Sequence, residues 1–391
     1  MKVLRSNLAN PVSEPSSISV LFLTPSPIRS ASERYRIYQF LPDLRRAGFS
    51  CTIRPFATEQ LHRAIQDERL IGKVFGILPC AVQRARDLTL INRFDAVVIH
   101  REAFPFFHPL VEQSVIRRHP RVIFDLDDAI YVGHQDTGKV KYHWAYRFKY
   151  GPGINHAFGT CCHVVAGNQV LAAHARKFNE NVSVVPTVVD LNQYTYQSPP
   201  ADGDSITIGW VGSRSTSPYL LEVEGALRRL SQAHVGRIRF VTYGDPKRKL
   251  ELPNFESLPF SLESEVENLR RCDIGIMPMP ENDWTRGKCA FKAIQYMALG
   301  IPTVASPVGT ATELIRDGEN GLLARTESDW FECLDRLVRD SSLRRRLSRA
   351  GRDTIEREYS LQVWAPRVIR LFNRIIVDGN RKEAPALERV S

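Results

Sequence analysis

A chain of 391 residues is too long for one core of ordinary size and suits two domains. With 43% hydrophobic and 25% charged residues, and no run near the roughly 18 apolar residues that cross a bilayer, it reads as a soluble globular protein. The net charge of +10 sits mainly in residues 1–200, where 24 Lys/Arg face 16 Asp/Glu, which fits an anionic partner or, equally, a solubilising surface.

Residues 1–17 lack the apolar run of a secretory leader and are expected to be extended or disordered. Short apolar runs then alternate with amphipathic stretches, the pattern of parallel sheets covered by helices. A first domain, residues 18–197, has expected strands ISVLFLT (18–24), CTIRPF (51–56), DAVVIH (95–100), RVIFDL (121–126), HVVAG (163–167) and VSVVP (182–186). A helix is expected from Glu33 to Arg46, stopped by Ala47-Gly48. The stretch YQSPPADGDS (196–205) marks the boundary, with 198–205 as the linker.

The alternation restarts with ITIGWVG (206–212), RIRFVTYG (237–244), CDIGIMPM (272–279), IPTVAS (301–306) and GLLA (321–324), a second domain over 206–360. A helix over 361–378 and a polar tail, 379–391, expected to be disordered, complete the chain. The fold class is therefore α/β, two Rossmann-like parallel-sheet domains facing across a cleft, where ligands bind beyond the carboxyl ends of the strands. Seven cysteines without a C-x-x-C pair, Cys161 and Cys162 adjacent, argue for reduced thiols in the cytoplasm and against a zinc site.

Residues with chemical potential gather at strand ends. SPIRSASERYR (26–36) fills the first strand-to-helix turn, with Ser30, Ser32 and Arg34 as candidates for an acceptor or phosphate loop; Ser32 serves equally as an N-cap. His100 ends another strand, beside Arg101 and Glu102. Asp125, Asp127 and Asp128 end the next, and three crowded carboxylates repel unless something uses them. Capping the next helix or pairing with a nearby arginine is the alternative. GHQDTGKVKYHWAYRFKYG (133–151) interleaves basic and aromatic residues, as a membrane or lipid-acceptor contact, a nucleic-acid contact, or a packed amphipathic helix would.

In WTRGKCAFKAIQYMALG (284–300), Lys288, Lys292 and Gln295 stand at i, i+4 and i+7 and would share one face of an otherwise apolar helix. A buried ammonium needs water or an anion. Gly287 would let backbone approach a ligand, with Arg286 and Lys288 flanking the helix N-terminus, so phosphate is one expected anion; lysines snorkelling to solvent are the alternative. Thr310-Ala-Thr-Glu313 reads as a capping box.

The blocks IGWVGS (208–213), CDIGIMPM (272–279), GKCAFKAIQYMALGIPTVASPVG (287–309), ELIRDGENGLLA (313–324) and RRRLSRAGRDTIEREYS (344–360), in this order, resemble the C-terminal domain of GT-B glycosyltransferases, specifically retaining family 4. VVIHRE (97–102), RVIFDLDDAIY (121–131) and PTVVD (186–190) resemble the matching N-terminal domain more loosely. The resemblance implies transfer of a sugar from a nucleotide-sugar donor to an acceptor (glycan, lipid-linked or small molecule), with no metal or cofactor required. It also implies that the last helix crosses back onto the first domain.

The family's two glutamates fall on Gly287 and Gln295, neither acidic. Gln295 can still hydrogen-bond a ribose, whereas Gly287 has no side chain to offer. Ser213 stands where an arginine is common. Gly212, Ser213, Arg214, Arg286, Gly287, Lys288, Lys292 and Gln295 are thus the donor-site candidates, the basic ones replacing the lost charge. Asp127 falls where family members often carry a histidine near the reacting carbon, and Asp127, Asp128 and His100 are the catalytic candidates. The alternatives are a non-catalytic nucleotide- or sugar-binding homologue, or a protein that binds or modifies nucleic acid. Besides the donor and acceptor, the expected partner is a membrane surface met by the basic first half; nucleic acid is the least expected.

Overall fold

The computed structural model describes residues 17–66, 70–105, 109–132, 151–199 and 205–378. Two six-stranded, all-parallel sheets organise it. The first has β1 (Ile18–Thr24), β2 (Phe49–Pro55), β3 (Ala96–His100), β4 (Val122–Leu126), β5 (His163–Ala166) and β6 (Val182–Val184), in the order β2-β1-β3-β4-β5-β6. The second has β7 (Ile206–Val211), β8 (Ile238–Tyr243), β9 (Phe255–Leu258), β10 (Ile274–Met277), β11 (Thr303–Ala305) and β12 (Leu322–Leu323), in the order β12-β11-β10-β7-β8-β9. Strands such as AVVIH and VIFDL are buried at every position, as sheets covered on both faces require.

Each sheet winds outward from its first strand in both directions. The strand order therefore reverses between β1 and β3, and again between β7 and β10. Crevices at the carboxyl ends of such switch points are where open α/β sheets receive ligands. Residues after β1, β3, β7 and β10 are thus the ones the topology brings to the cleft.

Glycines set the helix Phe291–Leu299 against the second sheet. A side chain on Gly275 of β10 would collide with the ring of Tyr296, so the ring lies flat on the strand. The Tyr296 hydroxyl accepts a hydrogen bond from the Val211 amide at 2.9 Å, at the end of β7. This fixes the helix relative to the turn at Gly212.

The helix Leu361–Asn373 packs in the first domain's cluster with Phe22, Leu44 and Phe49. Its entry is pinned by Val189, which bridges Ser360, receives from the Leu361 amide at 2.8 Å and donates to the Tyr359 carbonyl. Phe372 stacks on Phe22 at 6.4 Å and meets Phe49 edge-on at 6.2 Å.

Two sequence expectations are corrected, and one strand was not expected. The stretch from Glu33 to Arg46 is not one helix: Ala31–Arg36 ends at Ile37, a 3-10 turn covers Tyr38–Phe40, and a second helix runs over Leu41–Arg46. Pro42 has no amide to continue the ladder, so the chain restarts with proline in its first turn. β9, a half-exposed edge strand with the sequence FESL, carries no apolar run and escapes sequence reading. Thr310 does not form a capping box, because its buried hydroxyl has no hydrogen-bond partner and the helix is a single turn. Residues 1–16, 200–204 of the linker, 133–150 of the basic–aromatic segment and the tail 379–391 lie outside the described residues. Among the described residues, no helix is long and apolar enough to cross a membrane.

Phe372→Ala should destabilise the protein by about 3–5 kcal/mol, the usual loss for a buried phenylalanine. Urea denaturation of the full chain checks this; a loss below about 1 kcal/mol would mean that the crossing helix is not docked as described.

Candidate active site between the two domains

The first-domain wall is built by strand register. His100 at the end of β3 stands opposite Asp125 in β4, and its Nδ1 lies 2.6 Å from Asp125 Oδ2. Arg36, at the end of the helix Ala31–Arg36, donates to both oxygens of Asp125 and to the Val185 carbonyl. Burial alone would raise the Asp125 carboxyl. The Arg36 guanidinium and the His100 hydrogen bond overcome it and hold Asp125 at about 2. Ser32 caps nothing; its hydroxyl lies 2.8 Å from His100 Nε2 and donates to Asp127. The N-cap is Ser30, without a side-chain bond.

Asp127 and Asp128 follow β4 and turn toward cations. Arg101 lies 3.8 Å from Asp127 and 3.5 Å from Asp128, and it holds a left-handed backbone, φ 59°, that non-glycine residues rarely adopt. Lys288 reaches across from the second domain to Asp128 at 3.2 Å. Each strand-end carboxylate therefore faces a positive charge. Among the described residues no group of three or more His, Cys, Asp or Glu is arranged to hold a metal.

The second-domain wall departs from the expected stripe. Lys288 is not on the helix, which starts at Phe291 after Ala290 in the left-handed region (φ 50°); Lys292 and Gln295 are on it. Gly287 ends the short helix Asp283–Arg286, and its amide and that of Lys288 are spent on Trp284 and Thr285 carbonyls at 3.2 and 3.0 Å. A Cβ at Gly287 would lie 2.6 Å from the Ala129 Cβ of the first domain, so Gly287 is a packing contact and not an open phosphate cradle. Arg286 pairs with Asp283 and Glu281 at 3.0 and 3.2 Å.

Gln295 is 2% exposed, and its amide nitrogen donates to the Tyr194 hydroxyl at 2.7 Å and to Glu265 at 3.0 Å. It belongs to a buried network, not to the cleft surface where a ribose would meet it. After β7, Ser213 bonds Ser215 at 2.7 Å and Arg214 lies 3.7 Å from Asp245.

Lys292 is different. Its stem lies against Gly212, where an added Cβ would be 2.8 Å from Lys292 Cε, and its ammonium lies 5.6 Å from the centre of the Trp210 ring. Among the described residues no carboxylate lies within ion-pair distance of it. Burial and the charge of Lys288 push its ammonium down to about 8, against a weaker pull from Asp128. It also sits in the first turn of a helix, where the macrodipole disfavours a cation.

Several contacts were not read from sequence. Arg34 donates to Glu265 of the second domain at 2.7 Å, and Tyr35 donates to the same oxygen at 3.1 Å while bonding Tyr194 at 2.6 Å. Asn168 caps the helix Gln169–Ala175 through the Leu171 amide, and its side-chain nitrogen donates to the Gly287 carbonyl at 2.8 Å. An asparagine before an apolar run, as in AGNQVLAA, is a local N-cap signal that the sequence reading did not use; the second bond, 119 residues away, has no local signal.

Comparison with known proteins gives the fold. Residues 206–340 match the family model described as Glycosyl transferases group 1. The chain is 28% identical over 217 residues to a D-inositol 3-phosphate glycosyltransferase of Stackebrandtia nassauensis, covering 47% of each chain. It is 36% identical over 84 residues to a protein of the same name from a Nocardioides species, covering 21% of this chain and 18% of that one. The chain spans about half the length of the first of these relatives and less of the second.

Among solved structures, the Anabaena protein HepE, in complex with UDP and glucose, is similar with a TM-score of 0.64 and 14% identity, over 91% of this chain and 99% of that one. Sucrose-phosphate synthase from Thermosynechococcus elongatus gives 0.66 and 13%, over 93% and 100%. The protein has the GT-B glycosyltransferase fold. Its second domain carries the match to the glycosyl transferases group 1 model.

Lys292→Met should stabilise the protein at pH 7 by about 1–3 kcal/mol, since it removes a depressed ammonium. The penalty is complete below about 8 and fades as pH climbs toward 10.5, the ordinary lysine value. Denaturation at pH 7 and pH 10 checks the sign; equal stability of variant and wild type at pH 7 would contradict it.

Proposed function

We propose that the protein transfers a sugar from a nucleotide-sugar donor to an acceptor hydroxyl in the cleft between its domains, with retention and without a metal. The observation that carries this reading is Lys292, a cation with no carboxylate in reach among the described residues, against the glycine turn at the second sheet's switch point. The donor's diphosphate answers each of its disadvantages at once. It supplies the missing counter-charge, suits the helix N-terminus and takes charge-assisted hydrogen bonds from the ammonium. Developing negative charge on the leaving diphosphate is what such a group stabilises best.

HepE was solved with UDP and glucose and also with UDP-glucose, which makes UDP the first nucleotide to try. The acceptor side is assigned to the wall holding Asp127, Asp128 and His100. A lipid-linked acceptor, contact of the basic first half with an anionic membrane and a cytoplasmic setting belong to the proposal on charge and composition alone. A second reading, nucleotide binding without catalysis, is favoured by Lys288 being paired with Asp128 and Gln295 with Glu265. Slow release of free sugar from the donor without acceptor separates the two.

Calorimetry with UDP, GDP, ADP, CDP and dTDP in magnesium-free buffer tests the donor site. One nucleotide should bind at micromolar affinity, about 8 kcal/mol, and Lys292→Ala should weaken it roughly tenfold or more. Absence of binding by all five would overturn the reading.

A further inference from the structure

The hydrogens around His100 can be counted. Asp125 is held as a carboxylate by Arg36 and lies 2.6 Å from Nδ1, so Nδ1 carries a hydrogen. Ser32 Oγ lies 2.8 Å from Nε2, and its one proton goes to Asp127 Oδ2. A hydroxyl donates once, so the hydrogen between ring and hydroxyl comes from Nε2. On this count both ring nitrogens carry hydrogens, which would make the fully buried His100 an imidazolium.

We propose that Asp125, His100 and Ser32 form a proton-bearing relay that fixes Asp127 in position to receive the acceptor hydroxyl. Ser32 holds Oδ2 of Asp127, which leaves Oδ1, buried and without a hydrogen bond, its nearest ion-pair atom being Arg101 Nε at 3.8 Å. The chemistry rests on the donor-site reading above; the geometry does not. In the transfer, the acceptor O–H bond breaks as its oxygen bonds to the sugar's anomeric carbon. The bond from that carbon to the diphosphate breaks with its electron pair staying on the diphosphate, and the proton passes to Asp127 Oδ1. Asp127 is the catalytic residue here; Ser32, His100 and Asp125 are positioning residues.

The charges facing His100 are Asp125 and Asp127 from β4 and its end, Glu33 and Arg36 from the helix Ala31–Arg36, and Arg101 next in sequence. Burial lowers the proton affinity of His100, but the hydrogen bond to Asp125 and the charges of Asp127, Asp125 and Glu33 outweigh it, so the balance is raised. The His100 proton is therefore held below the folded value and lost as pH rises through it. A neutral ring with a bare Nε2 takes the Ser32 proton for itself, and Asp127 loses its tether.

The test is a nuclear magnetic resonance titration of the isotope-labelled histidine rings in the full chain, with His100→Gln assigning the signal. In the wild type both His100 nitrogens should be protonated at pH 7. Ser32→Ala and Asp127→Asn should each shift the titration to lower pH, a roughly tenfold loss of proton affinity for a lost charge-assisted bond, and Ser32→Thr should restore it. A neutral His100 at pH 7, or titration unmoved by both variants, overturns the relay even if nucleotide binds. A cationic His100 in a chain that binds no nucleotide leaves the relay standing and overturns only the donor site.

Discussion

Asp125, next to last in β4, has 5% of its surface exposed, and a carboxylate buried that deeply persists only when it is paired and fully hydrogen-bonded. Arg36 and His100 meet this demand from opposite sides, one from the helix after β1 and one from the neighbouring strand. The pairing fixes three backbone segments at the first sheet's switch point. Ser32, one turn before Arg36, is thereby set against His100, and Asp127, two residues beyond Asp125, against Ser32. The candidate acceptor wall follows from one buried acid.

The second domain is held to this wall by contacts of several kinds. Cys289 packs in the first domain's core, Asn168 holds the Gly287 carbonyl, and Lys288 meets Asp128. Further along, Arg34 and Tyr35 reach Glu265. Lys288 is partly exposed, so its pair with Asp128 is weaker than the buried ones and is the contact a phosphate would most easily displace. The bond from Asn168 and the bonds to Glu265 are more deeply buried. The two walls thus meet along a buried seam that includes the Arg34–Glu265 ion pair, with the more exposed Lys288–Asp128 pair beside it.

The two-sheet architecture was legible because fully buried parallel strands write themselves as apolar runs. Strand ends were legible for the same reason: His100, Asp127 and Asp128 stand where such runs stop. What sequence could not carry is pairing between distant segments. Gln295 reads as an amide on a helix stripe, yet its partners are Glu265 on another helix and Tyr194 before the domain boundary. Lys288 was placed on the helix because its spacing fits. Nothing in GKCAF announces that Ala290 takes the left-handed conformation and delays the helix to Phe291. Arg101 was passed over for His100, though its strained backbone brings its guanidinium to two aspartates.

The absence of acids at 287 and 295, where the sequence resemblance would place glutamates, has a physical reason in these contacts. A side chain at 287 would run into Ala129, so an acid there is incompatible with this packing of the domains. A glutamate at 295 would set a second buried carboxylate about 3 Å from Glu265, and like charges that close force one to protonate. Gln295 instead donates to Glu265, which the positive charge of Arg34 also steadies. Glu265, accepting from Gln295, Arg34 and Tyr35, ties the second domain to the first. That leaves Lys292, one turn away on the same helix, with no carboxylate within ion-pair distance among the described residues and its ammonium over the Trp210 ring.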